Sequence, residues 1–545
     1  MKGHTRHTAL WVFVLSLLVF VVSGGGRVVG SDEVSMLELS RGLIAGHVWV
    51  PEGATLKGLR GRDYTKNSAA QAVLALPLVA VSEAAARAGR LDPQRTRLAV
   101  RFGASFFNAF VCALLLAAFY SASRLMGASR RAALLATLML GFATPLWVYS
   151  KSFMAEPLEA LGLLLTLYGA SMSGGSPRPR GMAPDRVAAL GAFIAISAQL
   201  SMLPLACGAL VPYLVAPRRT WRWPATGVVA ALIGHACYNV ARFGTPLETG
   251  YGAQATPAAY TTPLLVGLYG LLLSSGKGVA WFAPAVWFVP ASVREWLREG
   301  RRGEGLAARL GMGTPRGRLS WGALTATGLA LLLYARFQHW AGDGSYGPRY
   351  LVPLLPLLLL CMAPWLAPHR KAIPRPRLRL ALVALALGIL VQVGGVAIYF
   401  GAQMREAGDY PYALPLEHPR FMSDSHFNPR FSPIAGHWRM LLRNAGEQLR
   451  GEAPRLDLKS SAAEAPSAAP NGDATLNPES RDARTGLSAA EQRSLLHGLD
   501  FWWLYLGYAG VGGNTPIVLA GLLALLAAGA ALRLRAALRS ESEAP

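Results

Sequence analysis

Apolar runs long enough to cross a lipid bilayer recur along the chain from residue 10 to residue 535, and no other feature restricts its folds so strongly. A helix needs about 20 mainly apolar residues to traverse a hydrocarbon core near 30 Å thick. Composition agrees: 52% of the 545 residues are hydrophobic and 15% are charged, against roughly a quarter charged in soluble domains. An all-α polytopic membrane protein is therefore expected. The net charge of +23 does not point to nucleic acid, because the basic residues are mostly Arg in short clusters between apolar runs, without aromatic interleaving. They read as topology signals. Cys112, Cys207, Cys237 and Cys361 all fall within expected membrane segments, where small apolar packing residues are a better reading than a disulfide framework or metal site.

About twelve spans are expected, at about 10 to 27, 104 to 125, 132 to 147, 155 to 173, 187 to 203, 204 to 217, 225 to 241, 278 to 293, 320 to 337, 350 to 367, 379 to 400 and 514 to 534. The first imitates a signal peptide, with Lys2, His4, Arg6 and His7 before Leu10 to Val22 and Ser23-Gly24-Gly25-Gly26 after it. It is read as an uncleaved helix, since the acidic pair just beyond makes sense only when anchored there. Ala69 to Ala88 is apolar enough to span but holds Pro77, Glu83 and Arg87. Parity decides its placement. If it does not cross, the clusters at Arg130 and Arg131, Arg178 to Arg186, Arg218 to Arg222, Arg294 to Arg318, Arg370 to Arg379 and Arg533 to Arg539 share one face. By the positive-inside rule that face, with both termini, is cytoplasmic in a bacterial inner membrane. The segment is then a juxtamembrane helix in the first outer loop, at the cost of leaving Arg87, Arg90, Arg95, Arg97 and Arg101 outside.

The outer face carries two long loops, 28 to 103 and 401 to 513. Within the second, Ser460 to Arg484 is biased to Ala, Ser, Pro, Asn and Asp and reads as a disordered insert. Phe501-Trp502-Trp503-Leu504-Tyr505 reads as an aromatic belt before the last helix and the tail, 514 to 545. No internal repeat, heptad pattern or P-loop is present.

Acidic and unusual polar residues concentrate in the outer loops. Asp32 and Glu33 follow the first helix closely. A carboxylate at that height suits a general base acting beside a lipid-borne donor, or is a solvated pair ending a helix. Lys66, with Asp63 and Tyr64 before it, opens the expected surface helix, where backbone amides and a cation make a phosphate site; a snorkelling lysine is the alternative. Lys151 and Glu156 flank the turn between the third and fourth spans, Glu156 being either a site residue or dipole compensation. Tyr238, Asn239 and Arg242 end the seventh span. Lys277 follows Ser274-Ser275-Gly276 in a hairpin too short to span. His339, Asp343, Tyr346, Arg349 and Tyr350 precede the tenth span, and Arg349 can grip a phosphate bidentately.

The run Gly61 to Pro77, GRDYTKNSAAQAVLALP, resembles the Tyr-Ser-Lys or Tyr-Asn-Lys segment of GT-C-fold, lipid-linked-sugar glycosyltransferases, a superfamily that includes protein O-mannosyltransferases and lipid A aminoarabinose transferases. Ala143 to Leu158, Tyr238 to Tyr251, Gly267 to Phe282 and Gly344 to Pro356 look like a bacterial branch of it, and the resemblance covers roughly residues 8 to 400. It implies a transmembrane catalytic core over residues 1–400, Asp32 with Glu33 beside it as catalytic base, and Lys66 as the lipid-phosphate lysine. Asn67-Ser68-Ala69-Ala70 departs from the usual Pro-Pro or Gly-Pro-Gly, which affects the helix start and the reach of Lys66. The implied reaction is inverting sugar transfer from a polyprenyl-phosphate donor to an envelope glycan, lipid or protein acceptor. Lys66, Lys277 and Arg349 would neutralise the departing phosphate. The sequence offers no metal-ligand set, and a divalent ion stays open. A lipid or solute transporter or flippase competes, although carriers place ionisable residues at mid-depth and His235 is the main one here. A non-catalytic member of the same fold is a third reading.

Overall fold

The computed structural model describes residues 2–173, 183–302, 304–342, 344–368, 371–407, 425–456 and 489–543; the expected insert at 460–484 and Asp343 lie outside them. Helix α1 (Lys2–Val22) is followed by α2 (Ser31–Ile44), a short antiparallel hairpin of β1 (Thr55–Lys57) and β2 (Asp63–Thr65), then α3 (Ala70–Ala88) and α4 (Pro93–Ala104). The body continues through α5 (Phe107–Leu125), α6 (Arg130–Phe142), α7 (Leu146–Tyr149), α8 (Glu156–Met172), α9 (Pro184–Ala198), α10 (Met202–Ala209) and α11 (Arg222–Phe243). Then come α12 (Leu264–Leu272), α13 (Val279–Phe282), α14 (Val289–Gly300), α15 (Gly305–Arg309), α16 (Pro315–Arg336), α17 (Leu355–Leu366), α18 (Arg375–Ala397) and α19 (Phe400–Ala407). Beyond them lie α20 (Pro433–Leu449), α21 (Ala489–Ser494), α22 (Trp502–Tyr508) and α23 (Thr515–Glu543).

The chain is a helical multi-pass membrane protein. Its lipid-facing surface is apolar: on α23, Leu525 and Leu532 are 69% and 67% exposed, a pattern water does not tolerate over a whole helix. Where helices meet, small residues let the backbones touch. A Cβ on Gly162 or Gly169 of α8 would lie 2.5 Å from the backbone nitrogen of Ala195 or Ala188 on α9, so larger residues at either position would push the two helices apart. The first helix packs along the last, α1 against α23, as well as against α5.

Six helical stretches among the described residues are long and apolar enough to cross a membrane: 5–22, 70–88, 93–125, 349–366, 375–397 and 515–539. Several other expected spans are shorter, and some are not continuous helices, two of them interrupted at proline-containing 3-10 turns. The expected span at 204 to 217 is α10 followed by a 3-10 turn, Val211–Val215, containing Pro212. That at 278 to 293 is divided into α13, a 3-10 turn at Pro284–Phe288 and α14. In both places proline lacks the amide that would continue the ladder.

Although α3 has the length of a span, it packs along α2 and α4. Its N-terminal Gln71 donates to Asn108 Oδ1 at 3.2 Å and to the Met154 carbonyl at 3.4 Å. Further along, Ser82 meets Gly103 and Glu83 pairs with Arg41 of α2 at 3.0 Å. The helix thus doubles back along α4 over the start of α5.

Candidate active site at the outer helix ends

The site is built around the first turn of α2, a helix the sequence reading left as loop. Asp32 and Glu33 do not end the first helix; they begin the second. Glu33 turns inward and is buried, with Oε2 accepting the Gly30 amide at 2.9 Å and Oε1 accepting the Phe153 amide at 2.6 Å. Burial pushes its carboxyl above the usual range, against the lowering effect of those two amides. One residue earlier, about 100° around the helix, Asp32 points to the open side.

The β-hairpin brings Lys66 to Asp32. Tyr64 is buried, its hydroxyl donating to the Leu59 carbonyl at 3.3 Å, and Asp63 pairs with Lys57 across the hairpin at 2.7 Å. Thr65 Oγ1 lies 2.9 Å from Ser35 Oγ, and Asn67 Nδ2 donates to Asp32 Oδ1 at 3.4 Å. Arg242 holds the same strand from α11, donating to the Thr65 carbonyl at 2.5 Å and to Asn239 Oδ1 at 2.7 Å, with its guanidinium 4.0 Å from the centre of the Tyr238 ring. So Tyr238, Asn239 and Arg242 support the hairpin. Lys66 Nζ then sits 3.6 Å from Asp32 Oδ1 and 5.9 Å from the Tyr251 ring centre.

Arg349 closes the other side. It opens the 3-10 turn leading into α17, with Nη1 3.9 Å from Asp32 Oδ2 and Nε bonded to Glu156 Oε1. Glu156 begins α8 and is buried, its second carboxylate oxygen having no hydrogen-bond partner among the described residues. One turn on, Glu159 is buried beside Glu156 and Arg349. Sequence reading missed Glu159, although the three-residue spacing Glu-Pro-Leu-Glu puts both carboxylates on one helix face. Neither cation is within hydrogen-bond distance of Asp32, and its side chain remains 19% exposed against 6% for Glu156.

The remaining candidates sit elsewhere. Lys151 contacts Asp500 Oδ2 at 2.7 Å and the carbonyls of Val396 and Asp500 at 2.6 and 2.7 Å. Arg27 bonds the same carboxylate and lies near the rings of Tyr399 and Tyr505, 5.2 and 4.9 Å from their centres. Burial opposes ionisation of Asp500, but Arg27 and Lys151 outweigh it and draw the carboxyl down to about 2. Lys277 is 1% exposed, with its ammonium 2.5 Å from the Ser345 carbonyl. Tyr346 is buried, its hydroxyl on the Val391 carbonyl at 2.7 Å, and His339 lies half-buried against Phe337. Among the described residues no three His, Cys, Asp or Glu side chains converge as a metal-ligand set.

Fold and site together describe a helical multi-pass membrane protein with a charged cluster where the start of α2, a hairpin, the start of α8 and the turn leading into α17 meet. Among solved structures the chain is similar to ArnT from Cupriavidus metallidurans bound to undecaprenyl phosphate, at 15% identity over 83% of this chain and 82% of that one, TM-score 0.42. It is also similar to archaeal oligosaccharyltransferase AglB from Archaeoglobus fulgidus, in complex with an inhibitory peptide and a dolichol-phosphate, at 12% identity over 75% and 60% of the chains, TM-score 0.38. No protein-family model matches the sequence, and no curated protein does.

Proposed function

We propose that the chain is an inverting glycosyltransferase that moves a sugar from a polyprenyl phosphate to a hydroxyl acceptor on the outer face of a bacterial inner membrane. The observation that carries this reading is the Asp32 carboxylate standing between Lys66 and Arg349, 3.6 and 3.9 Å away. Asp32 takes the proton of the acceptor hydroxyl. The oxygen attacks the anomeric carbon opposite the phosphate, the bond from that carbon to the phosphate oxygen breaks, and the polyprenyl phosphate leaves as an anion. Lys66 and Arg349 receive that charge. Glu156 is a positioning residue, fixing the Arg349 guanidinium so that Nη1 faces Asp32. Lys277, committed to Ser345, supports the loop before Arg349. Undecaprenyl and dolichol phosphate, present with the structural neighbours above, exemplify the carrier class this reading assigns.

The test is to incubate purified protein with a panel of radiolabelled polyprenyl-phosphate sugars and envelope acceptors. Transfer that is lost in Asp32→Asn supports the reading. Movement of a lipid or solute across the membrane without transfer, equally fast in wild type and Asp32→Asn, would replace it with the transporter reading.

A further inference from the structure

On the face that the charge bias makes cytoplasmic, α14 lies against the bundle with Val293 and Trp296 inward and turns Arg294, Glu295, Arg298 and Glu299 outward. Both carboxylates are engaged: Glu295 with Arg377 and Glu299 with Arg316, each at 3.4 Å. Arg294, Arg298 and Arg302 have no carboxylate within ion-pair distance among the described residues. The arginines are interleaved with Glu295 and Glu299, so four guanidinium groups, that of Arg377 included, stand here against two carboxylates. These six charged side chains line a cleft of about 540 Å³ together with Trp365, whose indole centre lies 4.2 Å from the Arg377 guanidinium.

The height of the cleft identifies what it meets. Trp365 is at the end of the apolar stretch 349–366 and Arg377 near the start of the stretch 375–397, so the cleft opens at the level of the lipid headgroups, where tryptophan also partitions. A topology signal requires only that positive charges lie in short loops. It does not require them to converge on one cavity beside an interfacial tryptophan. We infer that this cleft binds the phosphate headgroup of an anionic phospholipid of the phosphatidylglycerol class from the cytoplasmic leaflet, with Arg294, Arg298 and Arg302 as its counter-ions.

The full chain is purified in detergent and its lipid retention read by native mass spectrometry, with phosphatidylglycerol, phosphatidylethanolamine or inorganic phosphate added. Wild type should retain phosphatidylglycerol selectively, and R294Q/R298Q/R302Q should bind it roughly a hundredfold more weakly, given about 1 kcal/mol per basic residue near a charged surface. Loss of two basic residues elsewhere on the same face, in R218Q/R219Q, should leave retention unchanged. A photoreactive phosphatidylglycerol should label peptides covering residues 289–302 in wild type, which keeps the test open if the triple variant does not fold. Equal retention of phosphatidylethanolamine, full retention by the triple variant, labelling confined to other peptides, or competition by millimolar inorganic phosphate overturns the inference.

Discussion

Glu33 accepts the backbone amide of Phe153 at 2.6 Å across 120 residues of sequence, and this bond ties the first turn of α2 to the outer turn ahead of α8. It also separates the roles of two adjacent carboxylates. Glu33→Gln removes one of two acceptors for buried amides, a loss of about 1 to 3 kcal/mol, and should lower thermal stability while residual enzyme still transfers sugar. Asp32→Asn should leave stability near wild type and cut turnover by roughly 10² to 10⁴. Thermal unfolding and transfer assays on both variants check this; the converse pattern would make Glu33 the base.

Lys66→Ala should retain the fold and weaken donor binding by about 1.5 to 3 kcal/mol, the worth of a hydrogen bond to a charged group, seen as a raised KM for the polyprenyl donor. Arg349→Lys loses the fork that reaches Glu156 and Asp32 together, so it should lower kcat more than it raises KM. Equal effects of both variants on kcat alone would remove Lys66 from the phosphate site.

Helix α3 is expected to lie on the outer face. Leu91 is exposed in the turn between α3 and α4, so Leu91→Cys, with the exposed Cys207 and Cys237 replaced by Ala, should react with a membrane-impermeant maleimide added from outside. Labelling only after the inner side is opened would mean that α3 crosses and every later loop is inverted.

The pH dependence of stability should report the Arg27, Asp500 and Lys151 cluster. The Asp500 carboxyl ionises at about 2 rather than the ordinary 3.8. Because the folded value is depressed, its contribution is complete above about pH 4 and is lost as pH falls through about 2. Asp500→Asn leaves two buried cations unmatched, which costs about 3 to 5 kcal/mol near neutral pH. The difference in Tm between wild type and variant should therefore shrink as pH is lowered from 5 to 2. A constant difference across that range would show that Asp500 acts through packing rather than charge.

Long apolar helices were legible because a twenty-residue hydrophobic run has few alternatives. Asp32, Lys66, Glu156 and Arg349 were legible individually as polar residues at the outer rim, and the structure gathers all four. Helix α2 was not recognised, although Ser31-Asp32-Glu33 at its start and Arg41 near its end are ordinary helix-end signals; its weak apolarity hid it beside the spans. Hydrophobicity alone overcounted continuous helices at Pro212 and Pro284, since an apolar run states nothing about its amide donors. Asp500 was missed because its partners lie far away in sequence, Arg27 by 473 residues.

That separation bears on how the protein is made. Helix α1 emerges first, yet its outer end is fastened by residues near the other end of the chain: Asp500 holds Arg27, and Trp502 and Trp503 donate to the carbonyls of Val21 and Val22 at 2.9 and 3.1 Å. At about 5 to 20 residues per second, roughly 20 to 90 s of synthesis divide Arg27 from its counter-ion. Through that interval the nascent protein holds an unmatched guanidinium, with Tyr399 as its ring partner once that residue is made and Tyr505 still to come. A chain stopped before residue 500 lacks α23 as well as Asp500, so both the flank of α1 that packs on α23 and the latch at the end of α1 stay open.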